Sequence, residues 1–151
     1  MAKEGSGGGD AAPQEAARVP LGLVLLAWLV PGIGHLILGK KLRAYVFCAV
    51  VVAGFVTGVL LNGEVGVPKQ NDPFSWLATF ACLGDGILYF GRLIWLNGLG
   101  GMLSGMPLGL DGGGEPVAAG FSYGKTFLVT SGLMNLLCVL DVSDIARGAK
   151  D

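Results

Sequence analysis

Long apolar blocks alternate with short polar or glycine-rich stretches along this chain. The blocks fall at about 19–38, 44–61, 74–96 and 125–145. Each holds about 20 residues, and at 1.5 Å per residue a helix of that length covers the roughly 30 Å of a bilayer's hydrocarbon. The pattern predicts an all-α polytopic membrane protein with four transmembrane helices. Residues 1–18 are small, polar and glycine-rich and predict a flexible N-terminal tail. No small-residue cleavage motif follows the first block, so that block is expected to stay as a helix. Residues 146–151 form a short charged tail.

Punctuation within and between the blocks sets the next expectations. Pro31 lies inside the first block and removes a helix hydrogen bond, which predicts a kink near 27–30. The alternative is a full break, with 32–38 as a short second piece. Gly32 and Gly34 would let a neighbouring backbone approach there. Gly39 to Arg43 is a tight turn, so blocks one and two form an antiparallel hairpin. Lys40, Lys41 and Arg43 make it the densest positive cluster, and the positive-inside rule places it in the cytoplasm. In block two, Ala49, Ala53, Gly54, Thr57 and Gly58 form a small-residue face. Gly54 and Gly58 make a G-x-x-x-G, expected to pack within the chain rather than between copies. Residues 62–73 read as a loop, and Pro73 suits the first turn of block three. Trp76 and Trp95 stand near the two ends of that block as interfacial anchors. Residues 98–110 are apolar but too short and glycine-rich to span, so they lie in the interface or dip into it.

Composition agrees with a membrane setting. Hydrophobic residues make up 52% and charged residues 14%, against about 25% charged in soluble domains. The lipid bilayer is therefore the first expected partner. A net charge of −1 offers no basic field for nucleic acid. The three cysteines, Cys48, Cys82 and Cys138, sit in different blocks without a C-x-x-C pair and read as buried thiols. With His35 as the single histidine, no metal site is expected.

Polar groups inside the blocks are the candidates for function. A carboxylate at Asp85, mid-block, costs about 2.5–3.5 kcal/mol on an insertion scale, so it should face protein or water, or be protonated. Thr79, Cys82, Asp85, Tyr89 and Arg92 step by three or four and would share one face of a continuous helix. Such a stripe is a packing seam or the wall of a wet path. Arg92 lies two turns from Asp85 and near enough to the block's end to snorkel. Tyr89, His35 and Asn135 are the candidate partners of Asp85. His35 reads as a structural hydrogen-bonding group and Asn135 as interhelical glue. No nucleophile–base pair, zinc motif or phosphate loop is present, so no catalytic residue, cofactor or metal is expected.

Residues 27–43, A-W-L-V-P-G-I-G-H-L-I-L-G-K-K-L-R, resemble the P-G-x-G-H…L-G-(K/R) signature of the two-transmembrane-helix domain family. That family builds a helical hairpin around the motif. Here Ile37 replaces the usual aromatic, and the acidic turn motif is absent. With the closing stretch from Phe127 to Ala146, the chain is similar to an uncharacterised family of small bacterial four-helix membrane proteins. The resemblance implies a bacterial inner-membrane, multi-pass protein and carries no catalytic or ligand residues. The expected role is a non-enzymatic scaffold or accessory subunit, associating with other membrane subunits or with itself. The alternative is a small-solute, ion or proton conduit using the polar groups of block three.

Overall fold

The computed structural model of the chain describes residues 20–105 and 110–149; for residues 102, 104 and 105 it describes the backbone only. The expected tail at 1–18, residues 106–109 and the last two residues lie outside the described part. The described residues are helical, with no strand beyond an isolated bridge between Lys69 and Asp72. The helices are α1 (Leu21–Leu29), α2 (Ile33–Ile37), α3 (Lys41–Leu60), α4 (Pro73–Leu83), α5 (Ile87–Gly105) and α6 (Phe121–Ala146).

Two of them, α3 and α6, are each long and apolar enough to cross a membrane. A third crossing would require α4 and the first part of α5 together, bent by 119° at the break between them. α3 and α6 form the central antiparallel pair. A Cβ on Gly58 would lie 2.6 Å from Leu128 Cγ and 2.9 Å from Gly124 O, and one on Gly54 would lie 3.3 Å from Ser131 Cβ. Phe47, nearer the start of α3, shares a groove with Cys138 and Asp141 near the end of α6. Gly54 and Gly58 thus face α6 within one chain, whereas Ala49 and Ala53 of the expected small-residue face are exposed. Lys40, Lys41, Arg43 and Arg147 all fall at one end of this pair, here called the basic end.

The first apolar block is not one kinked span. It breaks at Val30–Gly32 into helices of nine and five residues, and the chain folds back on itself. A Cβ on Gly34 would lie 2.7 Å from the Cβ of Ala27. Seven residues apart on a straight helix, those positions would be about 10 Å apart. Gly32 takes the left-handed conformation (φ 82°) that makes the reversal possible, tight against Ala44 O of α3. Ala27, Val139 and Val142 form a buried cluster with Leu23, Val24 and Leu38 around it. The α1–α2 hairpin therefore lies along the second half of α6, with both arms toward the basic end and its tip near the middle.

The third block departs furthest from expectation. It breaks at Gly84–Gly86 instead of running straight from 74 to 96. Asp72 caps α4, accepting a hydrogen bond from Phe74 N at 3.0 Å, with Pro73 in the first turn. α4 then runs beside α6 from Lys125 to Gly132. Past the 119° bend, α5 heads back toward the end where α4 began. Tyr89 Oη donates to Gly66 O at 2.9 Å, and Asn97 binds both the N–H and the carbonyl of Asp111. The loop at 62–69 and the strand-like stretch at 110–115 meet there through Val65 N to Gly112 O, 3.0 Å. Trp76 and Trp95 consequently sit toward the same end rather than at opposite ends, 40% and 82% exposed. Beyond Asn97, α5 continues to Gly105 with a non-helical residue at Gly98.

The loop after α3 is more than a connection. Val65 and Val67 are buried in the main core with Phe55, Cys82, Tyr89, Leu93 and Leu128. The Gly66 N–H donates to Cys82 Sγ at 3.3 Å. This extended piece thus touches both α4, at Ala78 and Cys82, and α5, at Tyr89.

Candidate functional site

The tips of the two hairpins meet at the middle of α6. Helix ends leave carbonyls without an i+4 amide, and in an apolar interior each needs another donor. Asn135 supplies two: its Nδ2 donates to Trp28 O at 2.9 Å and to Gly84 O at 2.7 Å. Trp28 Nε1 in turn donates to Leu83 O at 3.0 Å. One amide and one indole thus tie the end of α1, the end of α4 and the centre of α6 together. Gly86, in the left-handed conformation (φ 58°), brings the second tip directly against Trp28 O and Leu29 O. Trp28 also stacks edge-on against Phe90, with centroids 6.1 Å apart.

Asp85 sits at that second tip, 0% exposed. Neither carboxyl oxygen has a hydrogen-bond partner among the described residues, and the same is true of Asn135 Oδ1. The Ser131 hydroxyl, one turn before Asn135 on α6, lies within reach of the carboxyl and also of Leu128 O, at 2.9 Å. None of the three expected partners bonds to Asp85. Tyr89 is spent on Gly66 O, Asn135 on the two helix ends, and His35 on Asp141. The expected single stripe is divided, because the break puts Thr79 and Cys82 on α4 and Tyr89 and Arg92 on α5. Thr79 Oγ1 bonds back to Ser75 O at 2.7 Å. Arg92 is half-buried, with its guanidinium beside Gly113.

His35 and Asp141 make a second polar contact, Nε2 to Oδ2 at 3.0 Å. The imidazole is fully buried, while the carboxylate is 21% exposed. Phe47 tilts against the ring at 4.9 Å. Gly34, next to His35, has room only for hydrogen beside Val142 and Ala27, so the α2 backbone lies close enough for the histidine to reach α6. Asp141 lines an apolar groove of 450 Å³ with Phe47, Met134, Leu137, Cys138, Leu140 and Asp144. Asp141 is not among the polar groups that the sequence pattern singles out. The available signal was its spacing from Asn135 and Cys138, which puts all three on one side of α6.

At the far end, Lys69 Nζ and Glu64 Oε1 pair at 2.7 Å beside a 210 Å³ cavity that Asp72, Ser75 and Lys125 also line. No group of three or more His, Cys, Asp or Glu side chains suited to a metal ion occurs among the described residues.

No curated protein and no solved structure matches the chain. A family model does, over residues 22–151, which takes in both hairpins and both long helices. The chain therefore belongs to the family of unknown function DUF6677.

Proposed function

We propose that this chain is an integral membrane protein that acts as a non-enzymatic scaffold or accessory subunit. The observation behind this reading is how its interior polar groups are used. Asn135, Trp28, Tyr89 and Ser131 each bond to backbone carbonyls within the bundle, and Asp85 has no exposed surface. A wet path would keep such groups open to water. The outer face suits lipid or another apolar helix: Leu42, Leu60, Phe80, Leu99 and Leu137 are each at least 60% exposed. The test is purification from native membrane with mass spectrometry of what co-purifies, paired with flux assays in proteoliposomes. A stoichiometric partner with flux equal to empty liposomes is expected. Flux that is lost in Asp85→Asn, from a protein purifying alone, would overturn the scaffold reading.

The conduit reading keeps one specific support. Half-depth helices that meet from opposite ends are how transporters build sites at mid-membrane.

The same reading gives an orientation. With α3 and α6 as the full crossings, Lys40, Lys41, Arg43 and Arg147 lie on one side, and the positive-inside rule makes that side cytoplasmic. Both ends of the described chain then face the cytoplasm, whereas four crossings with a cytoplasmic Lys40–Arg43 turn would put them outside. A membrane-impermeant maleimide added to intact cells should label Val117→Cys and leave Lys41→Cys and Arg147→Cys unlabelled. Opposite behaviour of positions 41 and 147 would refute the two-crossing arrangement.

A further inference from the structure

The two hairpins carry the same short pattern. Gly32, Gly34, Leu36, Gly39 and Lys40 recur, at the same spacing, as Gly84, Gly86, Leu88, Gly91 and Arg92. Four residues before each first glycine stands an aromatic, Trp28 or Phe80. Each pattern covers the tip of a half-depth hairpin, and each hairpin precedes a long helix, α3 or α6. The long helices are antiparallel, so the two halves enter from opposite ends. Paired interruptions in corresponding positions of two inverted halves mark the place where such folds bind ions or solutes.

At that place the structure buries oxygen atoms with few protein donors, the Ser131 hydroxyl being the one side chain beside the Asp85 carboxyl among the described residues. Both oxygens of Asp85 and the Oδ1 of Asn135 are buried and unpartnered among the described residues. The Ser131 hydroxyl lies between the Asp85 carboxyl and Leu128 O, 2.9 Å away, and its oxygen becomes a ligand when the proton is given to Leu128 O. No basic group of the described residues forms an ion pair with Asp85. Around this tip, α4 presents Cys82, α6 presents Ser131 and, at the neighbouring Gly84, Asn135, and α1 presents the carbonyls of Trp28 and Leu29 to the neighbouring Gly86, while Tyr89 of α5 is turned to Gly66 O. All are uncharged in their ordinary forms. A bare carboxylate sealed among them would be strongly disfavoured without a positive charge.

We propose that Asp85, Asn135 and Ser131 form a site for one small monovalent cation at the meeting point of the two hairpin tips. The donor set is all oxygen, which suits a hard ion. A single carboxylate balances a single charge, whereas a divalent ion would leave an excess charge in an apolar interior. The bound charge joins α6 to the break between α4 and α5, so it stabilises the packed state whether the protein scaffolds or conducts.

The experiment follows the thermal stability of the full chain in detergent, with sodium chloride replacing choline chloride at constant ionic strength. At sodium about 100-fold above half-saturation, the Tm should rise by roughly 5–10 °C. The rise should vanish in Asp85→Asn and need several-fold more sodium in Ser131→Ala. A second readout needs no variant: a hydrophobic carbodiimide modifies Asp85, detected by mass spectrometry, and sodium should slow that modification several-fold. Indifference to sodium, with both readouts instead following pH through Asp85, means a protonated carboxyl and no ion site, and overturns the proposal. If Tm and Asp85 modification in the parent protein ignore sodium, lithium and potassium alike, the proposal is likewise wrong.

Discussion

Asn135→Leu should be among the most destabilising single substitutions in this protein. The leucine nearly conserves volume but removes the only side-chain donors to Trp28 O and Gly84 O among the described residues. Both carbonyls stand at helix ends, where the amide that would normally bond them is turned away. Ordinary interhelical hydrogen bonds in membranes are worth little, about 0.6 kcal/mol on average, because the separated helices find other partners. These two differ, since neither broken helix can supply its own donor. Leaving each carbonyl unmet costs about 1–3 kcal/mol, so about 2–6 kcal/mol in total, against a typical 5–15 for a whole domain. Asn97→Leu is the matched comparison, because Asn97 also bonds two carbonyls, those of Leu93 and Asp111, but the latter contact is exposed and water can replace it. Unfolding of both variants by thermal melting in detergent should show a large loss for Asn135 and under about 1 kcal/mol for Asn97. Equal losses would mean that Asn135 does not bridge the hairpin tips.

Gly132→Ala should disrupt the same region through shape alone. An added Cβ falls onto Ala81 O and within 3.2 Å of Cys82 Cα, and both are backbone atoms that cannot rotate aside. Gly84 meets Gly132 in the reverse sense, so α4 and α6 touch through two glycines. One methyl must push the helices apart, with an expected cost of about 1–3 kcal/mol or more. Gly54→Ala is again a mild counterpart, because its Cβ would lie 3.3 Å from the Ser131 Cβ, a contact that a few tenths of an ångström relieve. A second readout locates the damage. Cys82 is 1% exposed and accepts a hydrogen bond from the Gly66 N–H, so a small thiol reagent should react with it faster in Gly132→Ala than in the parent. If Gly54→Ala and Gly132→Ala are equally stable and Cys82 stays protected in both, the close α4–α6 contact is absent.

Much of the fold was legible from the chain itself. Twenty uninterrupted, mostly apolar residues can satisfy their backbone only as a helix, so α3 and most of α6 follow from hydropathy and length. Pro31 beside Gly32 marks an interruption, because proline lacks the amide, although the pattern pointed first to a kink and only alternatively to the break that glycine's reversed backbone makes. Asp72–Pro73 marks a helix start, because the aspartate caps and the proline needs no donor. The burial of polar side chains at 35, 85 and 135 was also foreseeable, since groups of that kind inside apolar blocks must turn away from lipid.

Other features depended on the tertiary structure. Hydropathy counts apolar residues without regard to direction, so a hairpin of two half-depth helices looks the same as one full crossing. Gly84 and Gly86 fit a packed straight helix as readily as a reversal, until Gly132 on one side and Trp28 on the other require the backbone to turn. The apolar V-G-V of the loop gave no sign that Val65 and Val67 would lie in the core between the two arms. Spacing along one helix aligned Asp85 with Tyr89 and Arg92, and that alignment ended with the helix. The partner of His35 lies 106 residues away on α6. The chain alone determined which segments are helical and which polar groups are buried, because both follow from backbone hydrogen bonding in an apolar medium. Which helices run straight for a full membrane's length, where the others turn back and what each buried polar group faces were decided by contacts between distant segments, which local pattern does not encode.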